Sequence, residues 1–516
     1  MFKAGDYTIP NEFSWIGDWA KRRALLTPDR EAIFDNIEKK LYTYRDLNLR
    51  ANKLARLLLN EGISKGDRVA MFSTNRIECI DLFLATGKIG AILVPFNIRL
   101  SIQEIEYLTN KTSPSILFYE SKLIDTVSQL KEKLTIKKNI VLGTDSVLND
   151  SNTRELTKKV SDLEVERPIL NFDDPHLILF TGGTTGLPKG AILSHRLIFW
   201  NSVNTILSWS LKSDDIQPLL FPLFHTGGWN VLLVPFYHLG AKTILMGDFN
   251  PEETIRIIEE EKCTIVIGVP TMFHMMANSS LFERANFESV RIFISGGAPC
   301  PVAIMEKYWE KNKMFKMGYG LTEVGPNNFY LPEERIREKP SSVGLPVLHC
   351  DMKIINTKTD QIVNQGEVGE LLLKGPHIFS GYWDDLNESN KTIETDGWVH
   401  TGDLAMQDDE GFYYIVGRRK DMYISGGENV YPVEIEELLF KHPAVDLAAV
   451  IGVPDEKWGE VGKAFLTIKA GKTLEVDEIR NYLLERLAKY KIPKYFEIRD
   501  SLPHSATGKI LKRELI

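Results

Sequence analysis

Leu47, Ala51, Leu54 and Leu58 recur at three- and four-residue intervals, the spacing of one helix face. Thr43 opens the run with Asp46 three residues behind it, the arrangement of a capping box, and Gly62 closes it. The apolar stretch RVAMFS from Arg68 then reads as a buried strand, about Arg76 to Lys88 as a helix, and GAILVPF from Gly90 as a second strand. The alternation continues through HLILFT from His176, KTILM from Lys242, TIVIGV from Thr264 and RIFISGG from Arg291. Strands separated by helices of this length form parallel βαβ units, which predicts an α/β body with helices covering its sheets.

From about Val343 to Tyr414 the texture changes. Short apolar segments such as GELLLKG and GFYYIVG are separated by Gly, Asp and Asn, which suits hairpins or a small barrel. Beyond the polar junction GRRKD a compact α/β unit follows, with a helix after Pro432, a strand DLAAVIG, and an amphipathic helix carrying Ile479, Leu483 and Leu487 that stops before Pro493. The predicted organisation is a large N-terminal body, 1–419, of mixed βαβ sheets plus a small β-barrel-like part, and a small mobile C-terminal α/β lid domain, 420–516. Composition alone favours an ordinary surface loop at this junction, so motifs must decide it.

Composition narrows the class. A chain of 516 residues needs several cores, and 43% hydrophobic with 26% charged residues is ordinary globular material, not a disordered or fibrous one. The net charge of −8, without long blocks of one sign, argues against nucleic acid as a partner. Cys79, Cys263, Cys300 and Cys350 lie far apart, without the spacing of a zinc site or disulfide framework, which suits a reducing compartment. The first residues lack a signal peptide's apolar core, and no stretch reaches the roughly 18 apolar residues of a membrane span. A cytoplasmic protein without integral membrane association is expected; the oligomeric state is open, a homodimer included.

The strongest local signal is FTGGTTGLPKG, from Phe180 to Gly190, directly after an apolar strand. Glycines let backbone N–H groups converge on an anion, threonine hydroxyls add donors, and Lys189 adds charge, which together make a polyphosphate cradle. A Walker A loop needs Gly before the lysine and Ser or Thr after it, but Pro188 and Gly190 stand there. A dinucleotide fingerprint fails as well, because no GxGxxG opens a helix here.

With this loop the sequence resembles the adenylate-forming superfamily and, within it, the acyl-CoA synthetases. The resemblance runs in order through FTGGTTGLPKG, FPLFHTGGW from Phe221, ISGGAP from Ile294, MGYGLTE from Met317, HTGD from His400, GRRKDMYISGGENVYPVEIE from Gly417 and LPHSATGKI from Leu502. It implies ATP, Mg²⁺ and coenzyme A as reactants or cofactors: a carboxylate attacks the α-phosphate to give acyl-adenylate and pyrophosphate, and a thiol then displaces AMP. Both steps develop charge that positioned donors and cations must meet.

The same resemblance implies the site residues. Thr181, Gly182, Gly183, Thr184, Thr185, Gly186 and Lys189 would cradle the phosphates; Gly297 and Ala298 would present backbone to the base, and Tyr319 would stack on it beside Gly320. Thr322 would contact the α-phosphate. Glu323, helped by the Thr181 hydroxyl, would hold the metal. Asp403 and Arg418 would hold the ribose, although TGD alone is also common turn chemistry. Lys509, by itself one more tail lysine, would be carried in by the lid to neutralise the adenylation transition state. Lys420 would be the hinge on which the lid swings, and Gly426 and Gly427 would line the path of the pantetheine arm, where a plain turn is the other reading. His225 would stand beside the substrate carboxylate and Trp229 would act as an aromatic gate of the acyl pocket.

One position departs from the pattern: the family usually carries Ser or Thr where Gly182 stands, so one hydroxyl to the terminal phosphates is missing. Phe224 is followed by His225, not the aspartate of amino-acid-activating relatives, which disfavours a peptide-synthetase domain. The expected activity is an AMP-forming acid–thiol ligase acting on a small-molecule carboxylic acid, first of all a medium- or long-chain fatty acid of lipid metabolism. Alternatives are an aryl or hydroxy acid, a carrier-protein thiol as acceptor, or a nucleotide-binding regulator that has lost catalysis.

Overall fold

The computed structural model describes residues 12–133, 136–182, 188–505 and 508–515. It has a large mixed-sheet N-terminal body and a smaller C-terminal α/β domain. By packing, the chain divides into two compact units: one holds the chain up to Phe249 with Leu321–Asn327 and Gly375–Ile393, the other Asn250–Gly320, Asn328–Lys374 and the chain from Glu394 onward.

In the first unit, a six-stranded sheet runs in the order Lys138–Val141, Ile116–Tyr119, Arg68–Phe72, Ile92–Phe96, Pro175–Thr181, Lys189–Ser194. Its first five strands are parallel, as the βαβ pattern predicts, and the sixth is antiparallel. The capping-box helix is Tyr44–Asn60, with the Thr43 side chain accepting from the Asp46 amide and Asp46 accepting from the Thr43 amide. A second sheet orders Lys40–Thr43, Glu31–Asp35, Lys242–Leu245 and Ile216–Leu219.

In the second unit, Ile265–Gly268, Ile292–Ser295 and Phe315–Met317 form a parallel sheet. The Gly-rich region after it is a four-stranded antiparallel meander, Asp351–Ile355, Gly369–Lys374, Val399–Gln407 and Tyr413–Arg418, as the hairpin pattern requires. The C-terminal domain has cores of its own: Tyr423, Val430, Ile435, Leu439, Val450 and Leu483 pack in one, and Ala449, Phe465, Leu502 and Leu515 in another. Ile479 and Leu483 are buried on the helix Val476–Leu484, which ends before Leu487. Among the described residues no helix is long and apolar enough to cross a membrane.

Candidate active site

In the second unit the site is built around Asp403. Asp403 and Arg418 are register partners on adjacent antiparallel strands, so their side chains leave the same face. Arg418 Nε lies 3.1 Å from Asp403 Oδ1, and the Tyr319 hydroxyl donates to Oδ2 at 2.7 Å. Asp403 is buried, and burial raises its pKa while Arg418 and Tyr319 pull it back. Tyr319, from the turn after Phe315–Met317, is nearly buried and meets Phe329 edge-on at 5.6 Å; burial and the neighbouring carboxylate push its hydroxyl pKa well up, so it stays a donor.

Lys509 belongs to the same group. Gly297 has φ +84°, and a Cβ there would lie 2.9 Å from Lys509 Cε and 3.3 Å from Nζ, so the missing side chain is the space the lysine occupies. Burial, then Arg418, push the Lys509 ammonium down to about 8, against the pull of Asp403. Ala298 is partly buried in the same turn. Gly426 and Gly427 form the two-residue turn between Tyr423–Ser425 and Glu428–Val430, both at positive φ as such a hairpin demands. Trp458 packs against Gly426, where a Cβ would come within 3.0 Å of the indole. Lys420 is exposed in the turn after Tyr413–Arg418.

The first unit carries the phosphate-loop residues. Thr181 and Lys189 are cross-strand partners, so the described ends of the loop lie on adjacent antiparallel strands. Gly183, Thr184, Thr185 and Gly186 lie outside the described residues. Gly182 is exposed, and among the described residues nothing lies within 4 Å of a Cβ there, so none of them excludes the family's hydroxyl residue. The outer edge of Lys189–Ser194 is covered by the segment 380–383: the Ile192 amide donates to Gly381 O at 3.0 Å and the Trp383 amide to Gly190 O at 2.7 Å.

That pairing delivers Tyr382, which the sequence reading missed. Its hydroxyl donates to Glu323 Oε1 at 3.0 Å, and the Thr181 hydroxyl donates to the same oxygen at 3.1 Å. Lys189 pairs with Glu388 and lies 5.5 Å from the Tyr382 ring. The Lys189 and Lys391 ammonium groups hold the Glu388 carboxyl down at about 2. Tyr382 stands 59 residues beyond Glu323, so no local spacing announces it. A carboxylate beside a hydroxyl, with both donated bonds on one carboxylate oxygen, is an oxygen donor set that fits a hard dication keeping most of its waters. Thr322 is buried next to Glu323, and Gly320 closes the other unit's turn.

His225 and Trp229 follow Phe224 in the first unit. The Gly227 amide donates to His225 Nδ1 at 3.1 Å, which leaves the ring hydrogen on Nε2. Trp229 is fully buried, donates Nε1–H to Leu223 O at 2.5 Å, and stacks on Phe83 at 4.9 Å and 17°. Phe83 in turn lies 4.3 Å from His176, which stacks on His195 at 4.7 Å. Burial lowers His176 to about 4 and His195 well below its ordinary value, so the column of four rings is uncharged near neutral pH.

The model of the AMP-binding enzyme family matches residues 20–383, and that of the AMP-binding enzyme C-terminal domain matches residues 434–509. The chain belongs to the AMP-binding enzyme family. It is 35% identical to a feruloyl-CoA synthase of Amycolatopsis sp over 97% of this chain and 98% of that one. It superposes on ATP-bound MatB from Rhodopseudomonas palustris with a TM-score of 0.88 at 29% identity, covering 97% of this chain and 98% of that one. The o-succinylbenzoate CoA synthetase of Bacillus subtilis, solved with its acyl-adenylate, gives 0.85 at 31% identity over 96% and 97%. The protein is therefore an acid–thiol ligase that uses ATP and coenzyme A: acid and ATP give acyl-adenylate and pyrophosphate, and coenzyme A then gives the thioester and AMP.

Proposed function

We propose that the acid is an aryl or hydroxyaryl carboxylic acid and not the fatty acid first expected. The observation that carries this is the likeness, over nearly the whole of both chains, to a protein named feruloyl-CoA synthase. The Trp229 column suits it as packing: the indole is fully buried, bonded to Leu223 and stacked on Phe83, so it is a fixed backing and not a surface that touches the acid. A backing of this kind keeps the residues in front of it in place and does not swing aside for a long chain. Two of the relatives, named for feruloyl and o-succinylbenzoyl substrates, support the same reading.

In this reading His225 donates its Nε2 hydrogen to the substrate carboxylate. Asp403 and Arg418 take the ribose, Tyr319 and the turn at Gly297, Ala298 and Gly320 the base, and the loop from Thr181 to Lys189 with Thr322 the phosphates. Glu323 and Thr181 would hold Mg²⁺, which when bound adds positive charge to the phosphates. Lys509 neutralises the pentacoordinate phosphate as the carboxylate oxygen bonds to phosphorus and the bond to pyrophosphate breaks. Domain 420–516 then turns at Lys420 and offers the Gly426–Gly427 turn to the incoming thiol, whose sulfur bonds to the acyl carbon as AMP leaves. Four buried, free cysteines suit a cytoplasmic setting.

Pyrophosphate release over a panel of cinnamic, benzoic, arylacetic and medium- to long-chain fatty acids tests the proposal. The best aryl acid should exceed the best fatty acid in kcat/KM by about tenfold or more, the scale that a shaped apolar pocket supports. A fatty acid at the top of the panel overturns it.

A further inference from the structure

Helix Pro270–Ala277 buries Pro270, Met272, Phe273, Met276 and Ala277. Thr271, His274 and Asn278 lie three and four residues apart on its other side and so share a face. Two of them reach the C-terminal domain at points far apart in the chain. The Thr271 hydroxyl donates to Gly508 O at 2.9 Å, one residue before Lys509. His274 Nε2 lies 2.8 Å from Asp446 Oδ1 and 3.0 Å from Asn278 Nδ2; a carboxylate can only accept, so Nε2 gives its hydrogen to Asp446 and meets the Asn278 amide nitrogen as a contact without a hydrogen bond. Asn278 Oδ1 accepts from Lys307 at 2.8 Å, which brings a cation toward Asp446.

The described ends of the segment that this face holds are tied to each other. The Ser505 amide donates to Lys509 O at 2.7 Å, and the Lys509 amide to Ser505 Oγ at 3.0 Å. Gly508 has φ +80°, and a Cβ there would come 2.8 Å from Thr271 Oγ1, so backbone and helix meet without a side chain between them. Helix and target share one base as well. The helix follows strand Ile265–Gly268, whose register partner Ile292–Ser295 leads into Gly297, the glycine that Lys509 occupies.

We infer that Thr271 and His274, with Asp446 as the counterpart of His274, are positioning residues that dock the C-terminal domain with Lys509 in place. They touch no reacting atom; they act through Lys509, and only in the half-reaction that uses it. This rests on the proposed role of Lys509 in adenylation. A lysine delivered by a domain needs a rail on a rigid element, because a misplacement of about 1 Å costs a large part of its effect.

The test uses the full-length protein and measures the half-reactions apart: pyrophosphate release without coenzyme A, and thioester formation from supplied acyl-adenylate. Thr271→Val and Asp446→Ala should each lower adenylation by about three- to tenfold, the worth of one hydrogen bond, and leave thioester formation within about twofold. The swapped pair His274→Asp with Asp446→His should recover most of the loss of the single change. Hydrogen exchange of the amides around Lys509 should quicken in Thr271→Val and Asp446→Ala whatever the chemistry, and unchanged exchange overturns the docking. Equal loss in both half-reactions, or no loss in adenylation while Lys509→Ala abolishes it, overturns it too. If Lys509→Ala leaves adenylation intact but exchange quickens in the two variants, the docking stands and the role given to Lys509 fails.

Discussion

The cluster around Asp403 and the column around Trp229 are both buried, and their chemistry is opposite. Asp403 holds a tyrosine hydroxyl on one oxygen and a guanidinium on the other, with an ammonium near enough to feel it. The column stacks four uncharged rings and is tied by the indole bond to Leu223 and the 3.0 Å contact of His176 Nε2 with Phe83 O. A cluster of the first kind recognises a ligand that never varies, because losing one partner leaves a buried charge or donor unpaired. Packing of the second kind acts through shape, where one methylene counts for only about 1–3 kcal/mol. If the first serves the reaction and the second the acid, as proposed, one ligase chemistry can serve many acids by changing the packing and leaving the charges alone.

The sharpest way to break the contrast is Lys509→Ala. If the charge side does the chemistry, adenylation should fall by about 10²- to 10³-fold, the usual effect of removing a group that meets developing charge, while thioester formation from supplied adenylate stays near wild type. Separate assays of the two half-reactions read this directly. Equal losses would refute a lysine that serves one step only.

A change of pH should sharpen the same contrast with no mutation at all. Burial and Arg418 lower Lys509 to about 8 from its ordinary value near 10.5, and the lysine is useful only when charged. The charged fraction therefore falls as pH rises through about 8, and kcat/KM for ATP in adenylation should drop about tenfold for each further unit. Thioester formation should lack that limb. The Trp229 side, with its histidines already neutral, should show no change of acid preference over the same range.

The two regions also differed in how far they could be read beforehand. Strand and helix positions were legible because periodicity is local: Thr43 with Asp46, and the apolar runs at Arg68 and His176, specify their elements within a few residues. The antiparallel return of Lys189–Ser194 was not, since the pattern of a short buried strand carries no direction. Asp403, Arg418 and Lys509 were reached through ordered motifs, and the structure brings them together with Tyr319. Tyr382, Glu388, Thr271 and Asp446 escaped, because each meets its partner through tertiary contact and no spacing encodes that. The packing at Trp229 escaped for a related reason: the residue was visible as an aromatic, but its immobility depends on Phe83 and Leu223, which only the fold places beside it.

The gentlest probe acts on that immobility. Trp229→Phe keeps a ring against Phe83 and removes the donor to Leu223 O, leaving a buried carbonyl short of a partner and some empty volume. Stability should fall by about 1–3 kcal/mol, seen as a lower denaturation midpoint at unchanged slope. Adenylation of the best acid of the panel should weaken only severalfold, and longer or bulkier acids should gain relative to it, because the residues in front of a smaller, unbonded ring can give way. A loss shared equally by every acid would mean that Trp229 supports the fold without bounding the pocket, and the contrast between a charged half that fixes the chemistry and a packed half that selects the acid would lose its second term.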